Sequence, residues 1–206
     1  MKPQKQIPVV QVLKNGSVNL KKGGKLIAYI APEIFTEGWA KNALSDRLKD
    51  SRFQGIIPLA TGGRVGLQTT VKASPNGLRF RFVLTPLETV KVIHIRLVIN
   101  LPYNDWQESP YRLGSNTGCI PVKAPANNRL AEAFSASLSL GPSPVHKGLM
   151  MRLSPPKLHT VLQDNRQWTP FLHAFVTRNE KSDPAWKWTV GRKKVYGFSL
   201  SFPNNK

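Results

Sequence analysis

The sequence predicts an all-β protein, an antiparallel β-sandwich or jelly roll with one short helix. Apolar and polar residues alternate over long stretches, the period-two pattern of half-buried strands. Seventeen prolines and fifteen glycines punctuate the chain where strands must turn. About ten such runs follow one another, the layout of sandwiches and rolls.

Taken in chain order, residues 1–17 predict an extended N-terminal segment, followed by a strand over Lys25–Ile30. Glu37–Lys49 predicts the helix, with Trp39, Ala43, Leu44 and Leu48 on one face. From 64 to 100 the pattern predicts a three-stranded antiparallel meander. Val65, Leu67, Thr69 and Val71 alternate with polar neighbours, and Ser74-Pro75-Asn76-Gly77 makes a turn. Leu78, Phe80, Phe82 and Leu84 then alternate with Arg79, Arg81 and Val83, and Val90–Asn100 closes the series. Further strands are expected at Ala131–Leu140, Gly148–Ser154, Leu158–Gln163, Phe171–Thr177, Trp186–Val190 and Val195–Phe202.

At 206 residues, with no second composition regime and no fixed-period repeat, the expectation is a single domain spanning 1–206. Thirty Lys and Arg against eleven Asp and Glu give a formal charge of +19, which calls for an anionic partner. The charge is dispersed, and its tightest cluster is only Arg192-Lys193-Lys194, unlike a disordered nucleic-acid arm. The longest apolar run, Leu26–Ala31, is far short of the ~20 residues of a membrane helix, so no membrane partner is expected. One cysteine, Cys119, excludes an internal disulfide and a multi-cysteine zinc site.

Little spacing favours catalysis. The four histidines (His94, His146, His159 and His173) form no metal-binding pattern, so neither metal nor cofactor is expected. There is no nucleophile elbow. Paired carboxylates would serve glycoside hydrolysis, but among Asp105, Glu108, Asp164 and Asp183 nothing singles out a pair, and Glu33, Glu37, Asp46 and Asp50 read as surface.

Aromatics near polar loops are more informative. Tyr103, Trp106, Arg166, Trp168, Trp186 and Trp188 form the expected carbohydrate-binding set. A flat ring covers the apolar face of a sugar while neighbouring polar groups satisfy its hydroxyls. The bland alternative for each tryptophan is core packing. A reserve face for anionic ligands is expected at Arg79, Arg81 and Arg96, with Arg64, Lys72 and His94 beside them. Its alternative is a solvated sheet face.

Gly77–Phe82 (GLRFRF), Thr85-Pro86 and Val92–Pro102 (VIHIRLVINLP) resemble strands of the β-sandwich regions of large bacterial carbohydrate-active proteins such as glycoside hydrolases. Val161–Trp168 (VLQDNRQW) resembles their LQDNRxW stretch, and Tyr196–Phe202 their last strand. The resemblance implies an accessory, non-catalytic module of a secreted multidomain protein, carrying no signal of its own in this chain. It would bind polysaccharide, neutral or acidic, and target a covalently linked catalytic domain. The alternatives are a nucleic-acid-binding β domain, favoured by net charge, and a stand-alone polysaccharide hydrolase or lyase.

Overall fold

The computed structural model describes residues 8–42, 46–49, 54–74, 77–143, 146–177 and 185–202. The strands are β1 (Val9–Val12), β2 (Val18–Lys22), β3 (Lys25–Thr36), β4 (Ala40–Asn42), β5 (Asp46–Lys49), β6 (Gln54–Pro58) and β7 (Arg64–Ser74). Next come β8 (Gly77–Pro86), β9 (Val90–Val92), β10 (His94–Pro102), β11 (Pro110–Leu113), β12 (Asn116–Cys119) and β13 (Arg129–Ser135). The last are β14 (Ser137–Leu140), β15 (Leu149–Ser154), β16 (Leu158–Asp164), β17 (Phe171–Thr177), β18 (Trp186–Trp188) and β19 (Lys194–Ser201).

Two large sheets face each other, with every pairing antiparallel. One has eight strands, in the order β1-β2-β3-β10-β17-β16-β13, with β4 also pairing with β3. The other has nine, in the order β12-β11-β14-β15-β19-β8-β7-β6-β5, and β18 and β9 form a separate ribbon. The all-β sandwich of the sequence reading is therefore what the chain forms.

The core lies between the large sheets, where the alternating apolar faces meet. Leu78, Phe80, Phe82 and Leu84 of β8 enter it from one side. Ile95, Leu97, Ile99 and Leu101 of β10 enter from the other. Phe80 stacks on Phe198 of β19 with ring centroids 4.7 Å apart. Burying such a ring contributes roughly 1.5–3 kcal/mol against solvent exposure.

Three expectations are corrected. First, no α-helix occurs among the described residues. Glu37–Trp39 is a single 3-10 turn, Ala40–Asn42 pairs with β3, and Asp46–Lys49 pairs with β6. Ala43 and Leu44 lie outside the described residues. The turn follows from Gly38 and Trp39, both at positive φ, 70° and 58°, which no helix accommodates.

Second, only the first two strands of the expected meander pair, from Val65–Pro86 to Ser74–Gly77 in register. Pro75 and Asn76 of their turn lie outside the described residues. The third segment breaks at Ile93: β9 pairs with β18, while β10 crosses to the other sheet between β3 and β17. β10 is buried over most of its length because it is a central strand. Its outward Val98 joins Val161 and Phe175 in a second small cluster. Third, the strand expected over Ala131–Leu140 divides, β13 joining one sheet and β14 the other.

The expected N-terminal segment is described from residue 8. Its β1 pairs with β2 at the sheet edge.

Candidate functional site

The six residues expected to bind carbohydrate do not share one surface. Trp168 and Arg166 lie beyond the Pro102–Phe171 end of the β10–β17 pair, whereas Trp186 and Trp188 pair with β9, at the opposite end of β10. Three of the rings have no face to offer. Trp106 and Trp188 are each only 1% exposed, and Tyr103 is 5% exposed. Trp106 packs on His146 at 4.8 Å, and the Trp188 indole donates to the carbonyl of Arg192. All three belong to the main core cluster, Tyr103 and Trp106 from the turn after β10 and Trp188 from β18.

Arg166 is a clasp. Its guanidinium donates to both carboxylate oxygens of Asp164 (2.8–3.1 Å) and to the carbonyls of Pro121 and Val122. It also lies 3.7 Å over the Tyr103 ring, while the Tyr103 hydroxyl donates to those same carbonyls. The Asp164-Asn165-Arg166 part of VLQDNRQW thus pins the 121–122 loop to the end of β16 and leaves that arginine committed internally. Trp168 is exposed beside it. Half-buried Trp186 borders a cavity of about 520 Å³ shared with Lys187, Arg192 and Lys193.

The reserve cationic face is also corrected. Arg79 and Arg81 point outward from the nine-stranded sheet with Lys72, as expected, and Arg64 pairs with Glu88. Arg96 and His94 lie on the other sheet, because β10 crosses over.

That crossing creates the best-furnished surface, the outer face of the eight-stranded sheet. Cross-strand register aligns Glu33 of β3, Arg96 of β10, Thr177 of β17, His159 of β16 and Phe134 of β13 in one row. Glu33, expected at the surface, is only 5% exposed. It accepts from Arg96 Nε at 2.7 Å and pairs with Lys41 of β4. Burial would raise the Glu33 carboxyl, but the charges of Arg96 and Lys41 outweigh burial and hold it below the usual range. Arg96 sits 4.8 Å from both the Phe35 and Phe175 rings. Further along, His159 Nε2 lies 2.6 Å from Glu132, which also pairs with Arg129. Burial alone would raise Glu132, yet the His159 hydrogen bond and the Arg129 charge lower it.

Burial pushes His94 and His173 down to about 4, so both are neutral at pH 7. His173 Nδ1 lies 2.6 Å from the Asn165 amide, whereas the buried His94 Nδ1 has no hydrogen-bond partner. His159 and His173 share this face, four positions apart along paired strands.

Two exposed aromatics flank the row. Trp39 is 56% exposed and meets Phe35 edge-on, 5.7 Å between centroids, with His94 at 6.3 Å. Phe134, 61% exposed, lies over His159 at 5.1 Å. Sequence reasoning missed both, placing Trp39 on a helix face and Phe134 in an ordinary strand. The available signal was charge inside otherwise apolar strands, Glu33 in one and Glu132 in another.

No protein-family model matches the chain, and no curated protein does. Solved structures do. A candidate aldose 1-epimerase from Escherichia coli K12 superposes with a TM-score of 0.61 at 10% identity, covering 95% of this chain and 96% of that one. The fold is similar to theirs. A galactose mutarotase-like protein from Lactobacillus casei gives 0.55 at 11% identity, covering 97% and 98%. The 4-alpha-glucanotransferase of Thermococcus litoralis gives 0.55 at 6% identity, with 95% of this chain matching 36% of that one. At these identities the likeness is one of architecture, a β-sandwich shared with carbohydrate-related proteins. Among the described residues no three His, Cys, Asp or Glu side chains group to hold a metal. Among the described residues no helix is long and apolar enough to cross a membrane.

Proposed function

We propose that this protein binds a saccharide on the outer face of the eight-stranded sheet, between Trp39 and Phe134. The observation that carries this reading is the pair of exposed aromatic rings at either side of a row of hydrogen-bonding groups. Trp39 is held at a positive φ of 58°, a conformation costing about 1–3 kcal/mol for a residue with a side chain. A strained, exposed indole contributes little to the core and suits contact with a ligand. The flat rings cover apolar sugar faces, and Arg96, His94 and His159 satisfy hydroxyls between them, while buried Glu33 holds Arg96 in place. The row from Glu33 to Phe134 crosses four strand spacings, about 19 Å, the scale of an oligosaccharide rather than of one sugar.

In this reading the protein is a binding module, and the accessory, enzyme-targeting role belongs to the proposal. A second reading is turnover of the bound sugar. It is favoured by neutral His94, whose buried ring nitrogen lacks a partner, with ion-paired Glu33 on the neighbouring strand. Acid–base work at a sugar ring needs a proton acceptor and donor together.

Retention on a panel of neutral and acidic glycans, at low and high salt, tests the proposal. Trp39→Ala and Phe134→Ala are each expected to weaken retention about tenfold, in line with the 1–3 kcal/mol of a stacking contact. Unchanged retention in both variants would sink it. Polarimetry on fresh aldose solutions separates the two readings: accelerated mutarotation means turnover, and an uncatalysed rate with intact retention means binding.

A further inference from the structure

The outer face of the nine-stranded sheet is a different surface, and it is strongly one-signed. Eight of its nine strands, β6, β7, β8, β19, β15, β14, β11 and β12, contain no aspartate or glutamate. Besides Arg64, which pairs with Glu88, five exposed cations stand on their outward side: Lys72, Arg79, Arg81, Arg152 and Arg112. No carboxylate pairs with any of them among the described residues. Glu33, Glu132 and Asp164 all belong to strands of the other sheet.

Register makes the face a lattice. Lys72 stands directly opposite Arg79, Arg79 opposite Ser199, Ser199 opposite Arg152, and Arg152 opposite Ser137. A parallel row pairs Thr70 with Arg81, and β11 sets Arg112 opposite Ser139. Like charges directly opposite on adjacent strands are destabilising. Folding gains nothing from placing Lys72 against Arg79 with no acid near, so an anion from outside is the natural counterpart. Guanidinium groups grip phosphate in two-point contacts, and serine and threonine hydroxyls add neutral donors to the same oxygens.

The outward positions of these strands carry no aromatic side chain. That disfavours ligands held by stacking, whether sugar rings or unpaired bases. A duplex keeps its bases inside and presents only phosphates. From Lys72 on β7 to Arg112 on β11 the face crosses five strand spacings, about 24 Å. A duplex carries one charge per about 1.7 Å of axis, so this width lies over roughly seven base pairs.

We propose that the outer face of the nine-stranded sheet binds the phosphate backbone of double-stranded nucleic acid, without reading its sequence. The face is independent of the proposed saccharide surface, so either assignment stands if the other fails.

The test is fluorescence anisotropy with a labelled DNA duplex of about 20 base pairs, its single strand, and heparin as a sulfated-polysaccharide competitor. Wild-type affinity for duplex is expected to fall about 100-fold between about 50 and 200 mM salt, the mark of roughly four neutralised phosphates. The triple variant Arg79→Gln/Arg81→Gln/Arg152→Gln is expected to lose at least about tenfold in affinity and to flatten the log–log salt slope by about 2–3. An equal-charge control, Lys14→Gln/Lys22→Gln/Lys25→Gln, removes exposed lysines at the β1–β3 edge and is expected to change affinity less than about threefold. Thermal melts verify folding. If the triple variant does not fold, Arg152→Gln alone is expected to lower the slope by about 1. Equal losses in both triples would overturn the proposal, as would absence of duplex binding, preference for the single strand, or tighter binding of heparin at this face.

Discussion

His94 and His173 show how a single side chain ties this fold to pH. Burial lowers both to about 4. Arg96 and His159 push His94 the same way against Glu33, while Arg96 and Lys41 act on His173, again against Glu33. In the unfolded chain each takes a proton near pH 6.5. Between about 6.5 and 4 the unfolded state therefore binds more protons than the folded one. Stability is complete above 6.5 and falls as pH drops through that window, by about 3 kcal/mol for each histidine. Urea midpoints measured from pH 7 to 4 should decline accordingly, and His94→Gln/His173→Gln should flatten the decline. Neither histidine was readable as buried from sequence. Each sits in a strand, and whether its side is roofed depends on Arg96, Phe35 and neighbours on other strands.

Among elements, the turn after β16 makes the sharpest contrast between a motif and its use. In sequence, Arg166 and Trp168 look alike as ligand-binding residues. In the structure Arg166 is locked to buried Asp164 and two loop carbonyls, while Trp168 projects into solvent. Arg166→Ala should cost about 3 kcal/mol or more, because it strands a buried carboxylate. Hydrogen exchange should then show faster opening around residues 121–122. Trp168→Ala should leave the melting temperature within about a degree, as removal of an exposed side chain does. The alternation of β7 and β8 was legible as a hairpin, since period two and a turn signal suffice. The crossing of β10 was not. The alternation of Ile95, Leu97, Ile99 and Leu101 declares that one face of β10 is buried, and says nothing about which sheet the strand joins.

For the whole molecule, the dominant fact is +19 distributed unevenly over a sandwich. Self-repulsion of that charge opposes the compact state, and salt screens it over about 8–10 Å. Raising ionic strength from about 20 to 300 mM is therefore expected to raise the melting temperature, and scanning calorimetry reads it directly. A flat or falling response would mean that the ion pairs around Glu33, Glu132 and Asp164 outweigh repulsion between the unpaired cations.

The amino-acid sequence alone determined the all-β class, most strand positions, the turn-rich layout and the excess of positive charge. Each is set by local periodicity or by composition, which need no knowledge of partners. Only the tertiary structure decided that Trp106 and Trp188 are core, and that Arg96 faces away from Arg79. It also brought Trp39, Glu33, His159 and Phe134 to one surface and left eight strands of the other sheet without an acid. Those outcomes depend on which strands become neighbours. Antiparallel pairing joins segments distant along the chain, and alternation along one strand carries no record of the strand beside it.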